Sequence, residues 1–395
     1  MSRRPKRDRP AASVGCRRYA PGMEQFRWEV GEADLDELRR RAREARFPRP
    51  IGDAAAESGL TLDRLEALVA RWGGDFDWRA VEGRLNEVPQ FTTVIDGQLI
   101  HFARIEGVGT PRARRVPIIV FHGWPYSFIE MLPLAIELAG TEVDGVVFDV
   151  VVPSLPGYGP SAALDGAPFT GPVVAELMHS LMTDVLGYSR YLSYGEDVGS
   201  TTSDFLAALH PESVAGLIAT HAAFPPPSRA NDLTPVEQRW VDWHDGEWKR
   251  ASAYAALQST RPETLAVALS DSPAGLAAWI IEKLLAWSGP GDWWSDDELL
   301  TTASLYWFTG SIGSSFAAYR DYRLQPELPL VSVPVAVAVQ HGERGFPRSY
   351  AERTYTDIRQ WADLPTGGHF SAWQTPQLVA AEIRSFAVGH FDPVG

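Results

Sequence analysis

The sequence predicts an α/β fold with a mostly parallel sheet flanked by helices, a helical insertion and an N-terminal helical arm. Short, almost wholly apolar runs recur along the chain, as in strands that are buried on both faces of a parallel sheet. Amphipathic helical stretches separate these runs, and strands that alternate with helices form parallel sheets through right-handed crossovers. One later segment lacks this alternation and is helical and rich in tryptophan.

The composition is that of a folded protein and excludes several classes. Of the 395 residues, 45% are hydrophobic, and 14 tryptophans, 12 tyrosines and 17 phenylalanines are too many for a disordered chain. No apolar run approaches the roughly 18 residues of a membrane-spanning helix, so we expect no membrane partner. The net charge of -14 argues against a nucleic-acid partner. The single cysteine, Cys16, excludes an internal disulfide and a multi-cysteine metal site, and it fits a cytoplasmic location.

The first 22 residues differ from the rest of the chain in charge. They carry seven basic residues against one acidic residue, Asp8, and they lack the apolar stretch of a secretory signal. We expect residues 1–22 to be a disordered basic tail, because chain termini are commonly disordered. A functional basic arm is the alternative.

Residues 23–90 are predicted to form the N-terminal helical arm. Leu35, Leu38 and Ala42 recur at helical spacing in the first of its amphipathic stretches, and a second stretch covers residues 62–72. Neither helix can bury its apolar side alone, so the arm must pack on the rest of the protein.

The α/β core is predicted to comprise residues 91–222 and 331–395, with a helical cap at 223–330 between them. The core begins with a hairpin that turns at Asp96-Gly97. The predicted buried strands are the apolar runs 116–121, 145–153, 190–194, 214–220 and 333–339. The cap segment holds eight of the 14 tryptophans, and an aromatic-rich insertion between strands is a natural cover for a pocket. A second packed helical layer without a site is the alternative.

The segment Gly195-Glu196-Asp197-Val198-Gly199 has the form of a nucleophile elbow, a sharp turn between a strand and a helix. Glycines flank such a turn because neighbouring backbones crowd it. Serine is the usual nucleophile, but Asp197 stands at the centre here, and no Gly-x-Ser-x-Gly occurs in the sequence. A serine hydrolase is therefore disfavoured.

A carboxylate at this position is a nucleophile that needs no base at neutral pH. Attack by Asp197 on an sp³ carbon forms an alkyl ester on the enzyme, and water can then attack the ester carbonyl. This chemistry fits the opening of an epoxide or the displacement of halide. An aspartate that only caps the following helix is the alternative.

Two residues closer to the C-terminus complete a catalytic set. His369 follows two glycines and precedes a helix, and Glu343 follows the strand predicted at 333–339. Such a histidine acts as a base, and the acid fixes its tautomer and stabilises the imidazolium. The order nucleophile, acid, histidine is that of the α/β-hydrolase fold. A solvent-exposed Glu343 or a core His369 is the alternative for each residue.

The loop Phe121-His122-Gly123-Trp124-Pro125 ends a predicted buried strand. In this fold, that loop and the residue after the nucleophile supply the backbone N–H groups of the oxyanion hole. Trp124 and Val198 are therefore the predicted donors. His122 is interpreted as structural, since no second histidine lies at metal-ligand spacing, and we expect neither a metal nor a cofactor.

Several phrases of the sequence together resemble the microsomal-type epoxide hydrolases, including bacterial relatives and the insect juvenile-hormone epoxide hydrolases. The resemblance covers roughly residues 24–390. It is carried by RLNEVPQFTTVIDGQLIHF, the HGWP loop, the elbow, DSPAGLAAWIIEKLLAW, LYWFTGSIGSSFAAY and GGHFSAWQTP.

The resemblance implies Asp197 as nucleophile, His369 as base and Glu343 as its acidic partner. It also implies that two cap tyrosines, Tyr254 and Tyr319, hold and protonate the epoxide oxygen. An alkoxide leaving group in a dry pocket needs such a proton donor. The competing positions nearby are Tyr306 and Tyr322.

The elbow departs from the family pattern, which often reads Gly-Gly-Asp-Trp-Gly. Glu196 and Val198 replace the second glycine and the tryptophan, and Gln374 stands where many relatives carry an acid. Because the oxyanion donor is a backbone group, Val198 leaves it in place. A carboxylate of Glu196 that faced the site would raise the pKa of Asp197, so we expect Glu196 to point away.

The expected function is hydrolysis of a small-molecule epoxide, apolar or aromatic and bulky, to a vicinal diol through a covalent Asp197 ester. One alternative is a haloalkane dehalogenase, which usually has tryptophan where Val198 stands. Another is a catalytically silent binding protein of the same fold. The resemblance extends to enzymes of secondary-metabolite biosynthesis and of detoxification, and it leaves the oligomeric state open, a homodimer included.

Overall fold

The computed structural model describes residues 22–49 and 60–391. The disordered tail predicted at 1–22 lies outside these residues, apart from Gly22. The described chain forms a sheet flanked by helices, as the sequence predicts.

The sheet contains nine strands in the order β1-β2-β3-β5-β4-β6-β7-β8-β9. The strands are β1 (Met23–Phe26), β2 (Gln90–Ile95), β3 (Gln98–Ile105), β4 (Arg114–Phe121), β5 (Val146–Pro153), β6 (Tyr191–Gly195), β7 (Val214–Ala219), β8 (Val335–Val339) and β9 (Ile358–Asp363). The pairs from β1 to β5 along this order are antiparallel, and all pairs from β5 to β9 are parallel. Every residue of β5, β6, β7 and β8 is buried, which explains their apolar sequences.

The arm contains the helices α1 (Glu32–Arg43), α2 (Leu62–Gly73) and α3 (Trp78–Leu85). The sequence predicts a wholly helical arm, and this prediction is wrong at its start. The arm begins with β1, which pairs with β2 at the edge of the sheet. A strand of four residues is too short for its alternation to stand out in a sequence.

Three helices connect the strands of the core that precede the cap. They are α4 (Phe128–Gly140), α5 (Gly171–Ser180) and α6 (Val198–Leu209). A capping box of Ser127 and Glu130 begins α4. The first residue of α6 directly follows Asp197, so the nucleophile lies at the helix N-terminus.

The cap segment lies between β7 and β8 in the sequence and consists mainly of helices. Its helices are α7 (Pro235–Ala251), α8 (Ala253–Thr260), α9 (Pro262–Asp271), α10 (Pro273–Trp287), α11 (Asp296–Thr309), α12 (Ile312–Ser315) and α13 (Ala317–Arg320). Leu276 and Ile280 of α10 and Leu300 of α11 are fully buried, so the cap has an apolar core.

The arm holds the cap through α11. The indole N–H of Trp72 donates to Ser304 Oγ at 2.8 Å in a buried contact. Arg71 pairs with Asp297 at 2.7 Å on the surface beside it. Residues more than 220 positions apart in the chain are therefore joined at this contact.

The last helices complete the core. They are α14 (Arg348–Ala351), α15 (Ser371–Gln374) and α16 (Pro376–His390). The short α15 begins two residues after His369. Next to α14, Arg353 pairs with Glu237 of the cap helix α7 at 2.8 Å.

No single helix in the described part of the chain is long and apolar enough to cross a membrane. The adjacent helices α9 and α10 meet that requirement only when they are taken together, and they are bent by 115° at the break between them.

Candidate active site

Asp197 lies at a strained turn between β6 and α6. Its φ is 51°, an uncommon value for a residue with a side chain. A Cβ at Gly195 would lie 2.2 Å from the Gly199 carbonyl oxygen, and one at Gly199 would lie 2.4 Å from the His122 carbonyl oxygen. Both glycines are therefore required by close backbone contacts, as the elbow pattern predicts.

Two backbone amides stabilise the Asp197 carboxylate. The Trp124 N–H donates to Oδ1 at 2.9 Å, and the Val198 N–H also stabilises the carboxylate. Burial would raise the pKa of Asp197, but His369 and these amides hold that pKa below its usual value. The carboxylate is thus ionised at neutral pH. The structure brings both predicted oxyanion donors to the predicted nucleophile.

His369 faces the other carboxylate oxygen. Its Nε2 lies 3.4 Å from Asp197 Oδ2, which is an ion-pair distance rather than a well-formed hydrogen bond. Burial would lower the pKa of His369, but the nearby carboxylates of Asp197, Glu196 and Glu343 raise it above its usual value.

The loop that carries His369 is fitted against the end of α10. The His369 N–H donates to the Trp287 carbonyl at 2.9 Å, and a Cβ at Gly368 would lie 2.4 Å from the Ser288 carbonyl oxygen. Gln374 accepts the Gly368 N–H at 2.9 Å and donates to the Ser288 carbonyl at 2.8 Å. Gln374 therefore fastens this loop to the cap.

Glu343 lies near His369 without touching its ring. Among the described residues, no ion pair within 4.0 Å and no hydrogen bond joins Glu343 to His369. The Glu343 N–H is held by the Gln340 carbonyl at 3.0 Å in a short 3-10 turn after β8. Burial of the carboxyl raises the pKa of Glu343 to about 7. The direct contact expected for the acid is therefore absent in this structure.

His221, which the sequence analysis did not single out, occupies the Nδ1 side of His369. It follows β7, and its Nε2 lies 3.3 Å from His369 Nδ1. Its Nδ1 accepts the backbone N–H of Asp197 at 3.3 Å. The signal available in the sequence was a polar pair, Thr220-His221, at the carboxyl end of a buried parallel strand, where ligands bind in α/β sheets.

Glu196 points behind the nucleophile, as expected, but it is fully buried. Its carboxylate accepts the Tyr194 hydroxyl at 2.5 Å, the Ala372 N–H at 2.8 Å and the Tyr126 hydroxyl at 3.3 Å. Burial raises the pKa of Glu196 to about 7. Because Ala372 lies three residues after His369, this hydrogen bond also attaches the loop that carries His369 to Glu196.

Tyr254 and Tyr319 extend from the cap toward the same cavity. Their ring centroids are 5.6 Å apart, and both rings pack on Trp124. Burial and then the charge of Asp197 raise both tyrosine pKa values, so both phenols stay protonated at neutral pH. Of the competing tyrosines, Tyr322 is 74% exposed and Tyr306 is fully buried.

A cavity of about 710 Å³ lies between the core and the cap. Asp197, Tyr254 and Tyr319 line it. Its aromatic walls are completed by Phe169, Phe224, Trp248 and Tyr322, and its polar lining includes Thr201, His244, Asp245, Ser259 and Gln325. Residues of the cap segment 223–330 thus line this cavity together with residues of the core.

The fold and the site define the class of this protein: an α/β hydrolase with an aspartate at the elbow. Family models match the chain as "Epoxide hydrolase N terminus" over residues 23–131 and "alpha/beta hydrolase fold" over residues 116–376. The chain belongs to the epoxide hydrolase family, whose reaction adds water to an epoxide.

Individual relatives support the same assignment. The chain is 31% identical to epoxide hydrolase 1 of Sus scrofa, over 96% of this chain and 90% of that protein. The structure of juvenile hormone epoxide hydrolase from Bombyx mori has a TM-score of 0.84, with 27% identity over 93% of this chain and 94% of that one. The structure of Aspergillus niger epoxide hydrolase has a TM-score of 0.79, with 31% identity over 93% and 96% of the two chains.

Proposed function

We propose that this protein adds water to an apolar or aromatic epoxide and releases the vicinal diol, with Asp197 as covalent nucleophile. One observation carries the proposal. The Trp124 amide holds Asp197 Oδ1 at 2.9 Å, which leaves Oδ2 beside His369 in the cavity that Tyr254 and Tyr319 line.

In the first step, Asp197 Oδ2 attacks an epoxide carbon and the ring C–O bond breaks. The epoxide oxygen takes a proton from Tyr319 or Tyr254, which act as general acids. The product of this step is a hydroxyalkyl ester of Asp197. The protonated state of both phenols supports this assignment.

In the second step, His369 accepts a proton from a water molecule whose oxygen attacks the ester carbonyl carbon of Asp197. The Trp124 and Val198 amides hold the negative oxygen of the tetrahedral intermediate, and each such donor lowers the barrier by about 3 kcal/mol. The ester bond then breaks, and the alkyl oxygen takes the proton from His369. The new carboxylic acid of Asp197 ionises, and its proton restores the tyrosine.

The cavity supports an apolar or aromatic substrate class. Its volume of about 710 Å³ is that of a pocket for a drug-sized molecule, and Phe169, Phe224 and Trp248 provide aromatic walls. The polar side chains of the lining, among them His244, Asp245 and Gln325, can orient an otherwise apolar ligand.

The test is a single turnover with enzyme in excess over an aryl epoxide, in water labelled with oxygen-18. In the covalent mechanism the diol takes its new oxygen from Asp197, so the first diol is unlabelled and the label appears in the Asp197 peptide. Mass spectrometry measures both products. Label in the diol of the first turnover would instead show direct attack by water and would overturn the covalent proposal.

Two controls define the reaction class. Asp197→Ala should form no ester and no diol, with an unchanged circular dichroism spectrum. A panel of alkyl and aryl epoxides should give diol, whereas haloalkanes assayed beside them should release no halide. Halide release without diol formation would favour the dehalogenase alternative.

A further inference from the structure

The ring of His221 connects the nucleophile to the base. Its Nδ1 faces the backbone N–H of Asp197, and its Nε2 faces Nδ1 of His369, each at 3.3 Å. The two rings meet edge to face, with centroids 4.7 Å apart. His221 therefore occupies the side of His369 on which an acidic partner would fix the tautomer.

The direction of each hydrogen bond follows from the first one. The Asp197 amide can only donate, so His221 Nδ1 accepts and the single proton of the neutral ring lies on Nε2. Burial lowers the pKa of His221 to about 3, which keeps the ring neutral. When the His369 ring is neutral, His221 Nε2–H donates to His369 Nδ1, and Nδ1 then carries no proton.

This arrangement gives His369 the tautomer that cannot act as a base. When Nδ1 lacks a proton, the proton of the neutral His369 ring lies on Nε2, next to Asp197 Oδ2. Activation of water requires a bare Nε2, and a partner that accepts a proton from Nδ1 provides it. Protonation of His369 would also bring two N–H donors face to face across 3.3 Å.

We propose that His221 is a positioning residue that holds His369 Nδ1 before the reaction and must release it to Glu343 for ester hydrolysis. The carboxylates that face His369 are those of Asp197, Glu196 and Glu343. Esterification removes the charge of Asp197, and Glu196 is engaged by Tyr194, Tyr126 and the Ala372 amide. Glu343 is thus the acceptor for the Nδ1 proton. The proposal rests on the covalent mechanism proposed above.

Two conservative variants separate the two contacts of His221. In His221→Asn, the side-chain oxygen can take the place of Nδ1 and accept the Asp197 amide, but no group reaches His369. In His221→Gln, the amide nitrogen can take the place of Nε2 and still donate to His369 Nδ1. His221→Asn therefore removes the hydrogen bond to His369 Nδ1, and His221→Gln keeps it.

The experiment is rapid quench of a single turnover with an aryl epoxide, with intact-protein mass spectrometry to follow the Asp197 ester. In His221→Asn, ester decay should be about fivefold faster, the population shift that one net hydrogen bond supplies. In His221→Asn, ester decay should accelerate relative to ester formation, and ester decay in His221→Gln, which keeps a donor to His369 Nδ1, should be slower than in His221→Asn.

A spectroscopic measurement tests the tautomer without turnover. In ¹⁵N-histidine NMR spectra in alkaline buffer, above the raised pKa of His369, the parent should show the Nε2–H tautomer of His369. His221→Asn should shift it toward the Nδ1–H tautomer, and His369→Gln assigns the signal.

The outcomes are distinct for the two proposals. An ester that forms normally but decays in His221→Asn at the parent rate or more slowly would overturn the role of His221 alone. An unchanged tautomer in that variant would do the same. Failure of the parent protein to form any ester would overturn the covalent mechanism and this inference with it.

Discussion

Two tyrosines of the cap, Tyr254 and Tyr319, share a cavity with an ionised carboxylate of the core. Burial and the charge of Asp197 raise the pKa of both phenols, so neither competes with the carboxylate as an anion. The site therefore presents a nucleophile and two proton donors in their reactive states at the same pH. Proton donation and nucleophilic attack can occur together in such a site.

Removal of one phenol should affect the first chemical step. Tyr319→Phe should slow ester formation by about 100-fold, because a general acid contributes at least that factor, and should leave ester hydrolysis unchanged. Rapid quench with mass spectrometry measures both rates. Tyr322→Phe, at an exposed tyrosine of the outer cavity, is the control and should match the parent protein. Equal slowing of both steps in Tyr319→Phe would remove its assigned role.

The buried carboxylate of Glu196 should set the pH dependence of the second step. Its negative charge raises the pKa of His369, and Glu343 acts in the same direction with a smaller effect. Glu196→Gln should therefore lower the pKa of His369. In a plot of the ester-hydrolysis rate against pH, the acidic limb should then move to lower pH. Glu343→Gln should also lower the plateau rate of ester hydrolysis, because it removes the acceptor proposed for the Nδ1 proton of His369. A limb that moves to higher pH in Glu196→Gln would contradict this account.

The individual site residues differ in how far the sequence could predict them. Asp197, Val198 and Trp124 occupy fixed positions in the elbow and in the loop after β4, so their meeting follows from the order of strands. Glu343 lies in a turn whose path depends on the Gln340 contact and not on any pattern in the sequence. The contacts of His221 with Asp197 and His369 could not be predicted from the sequence, because a histidine two residues after a strand belongs to no motif.

At the level of elements, the first cap helix, α7, is fastened to the core by a buried ion pair. Glu237 belongs to the capping box of α7 and pairs with Arg353 at 2.8 Å, while Ser349 donates to it at 2.9 Å. The hydrogen bond from Arg353 is the main cause that lowers the pKa of Glu237 to about 2. One side chain thus begins a helix and joins two layers of the molecule.

Removal of this charge should weaken the junction of cap and core. Glu237→Gln should lower the free energy of unfolding by about 2 kcal/mol at neutral pH, because Arg353 loses its buried partner. Since the folded-state pKa is lowered, the contribution of Glu237 is present above pH 4.5 and is lost as the pH falls toward about 2. Urea denaturation of both proteins at several pH values measures this contribution to the free energy of unfolding. Glu352→Gln, in an exposed pair, should change stability by less than about 0.5 kcal/mol, and an equal loss there would contradict the prediction.

Periodicity predicted most elements but not all of them. The buried parallel strands are apolar throughout and stand out in any window, and α1 and α2 have regular apolar stripes. The edge strand β1 is partly exposed and only four residues long, so its pairing with β2 comes from tertiary contacts.

At the level of the whole molecule, the net charge is -14, whereas the proposed substrate is uncharged. Electrostatic attraction cannot accelerate the binding of a neutral epoxide, so kcat/KM should change by less than about twofold between low and high salt. An epoxide that bears a carboxylate is the matched control. Its kcat/KM should rise with salt, because screening reduces repulsion by the acidic protein. A strong salt dependence for the neutral epoxide would contradict an apolar substrate class.

The cap is held on two sides: Trp72 and Arg71 of the arm bind α11, and Arg353 of the core binds α7. These two attachments hold in place the cap that carries Tyr254 and Tyr319 over Asp197. Among the described residues, the arm contributes none to the cavity lining, yet a substitution in it can change the spacing of nucleophile and proton donors.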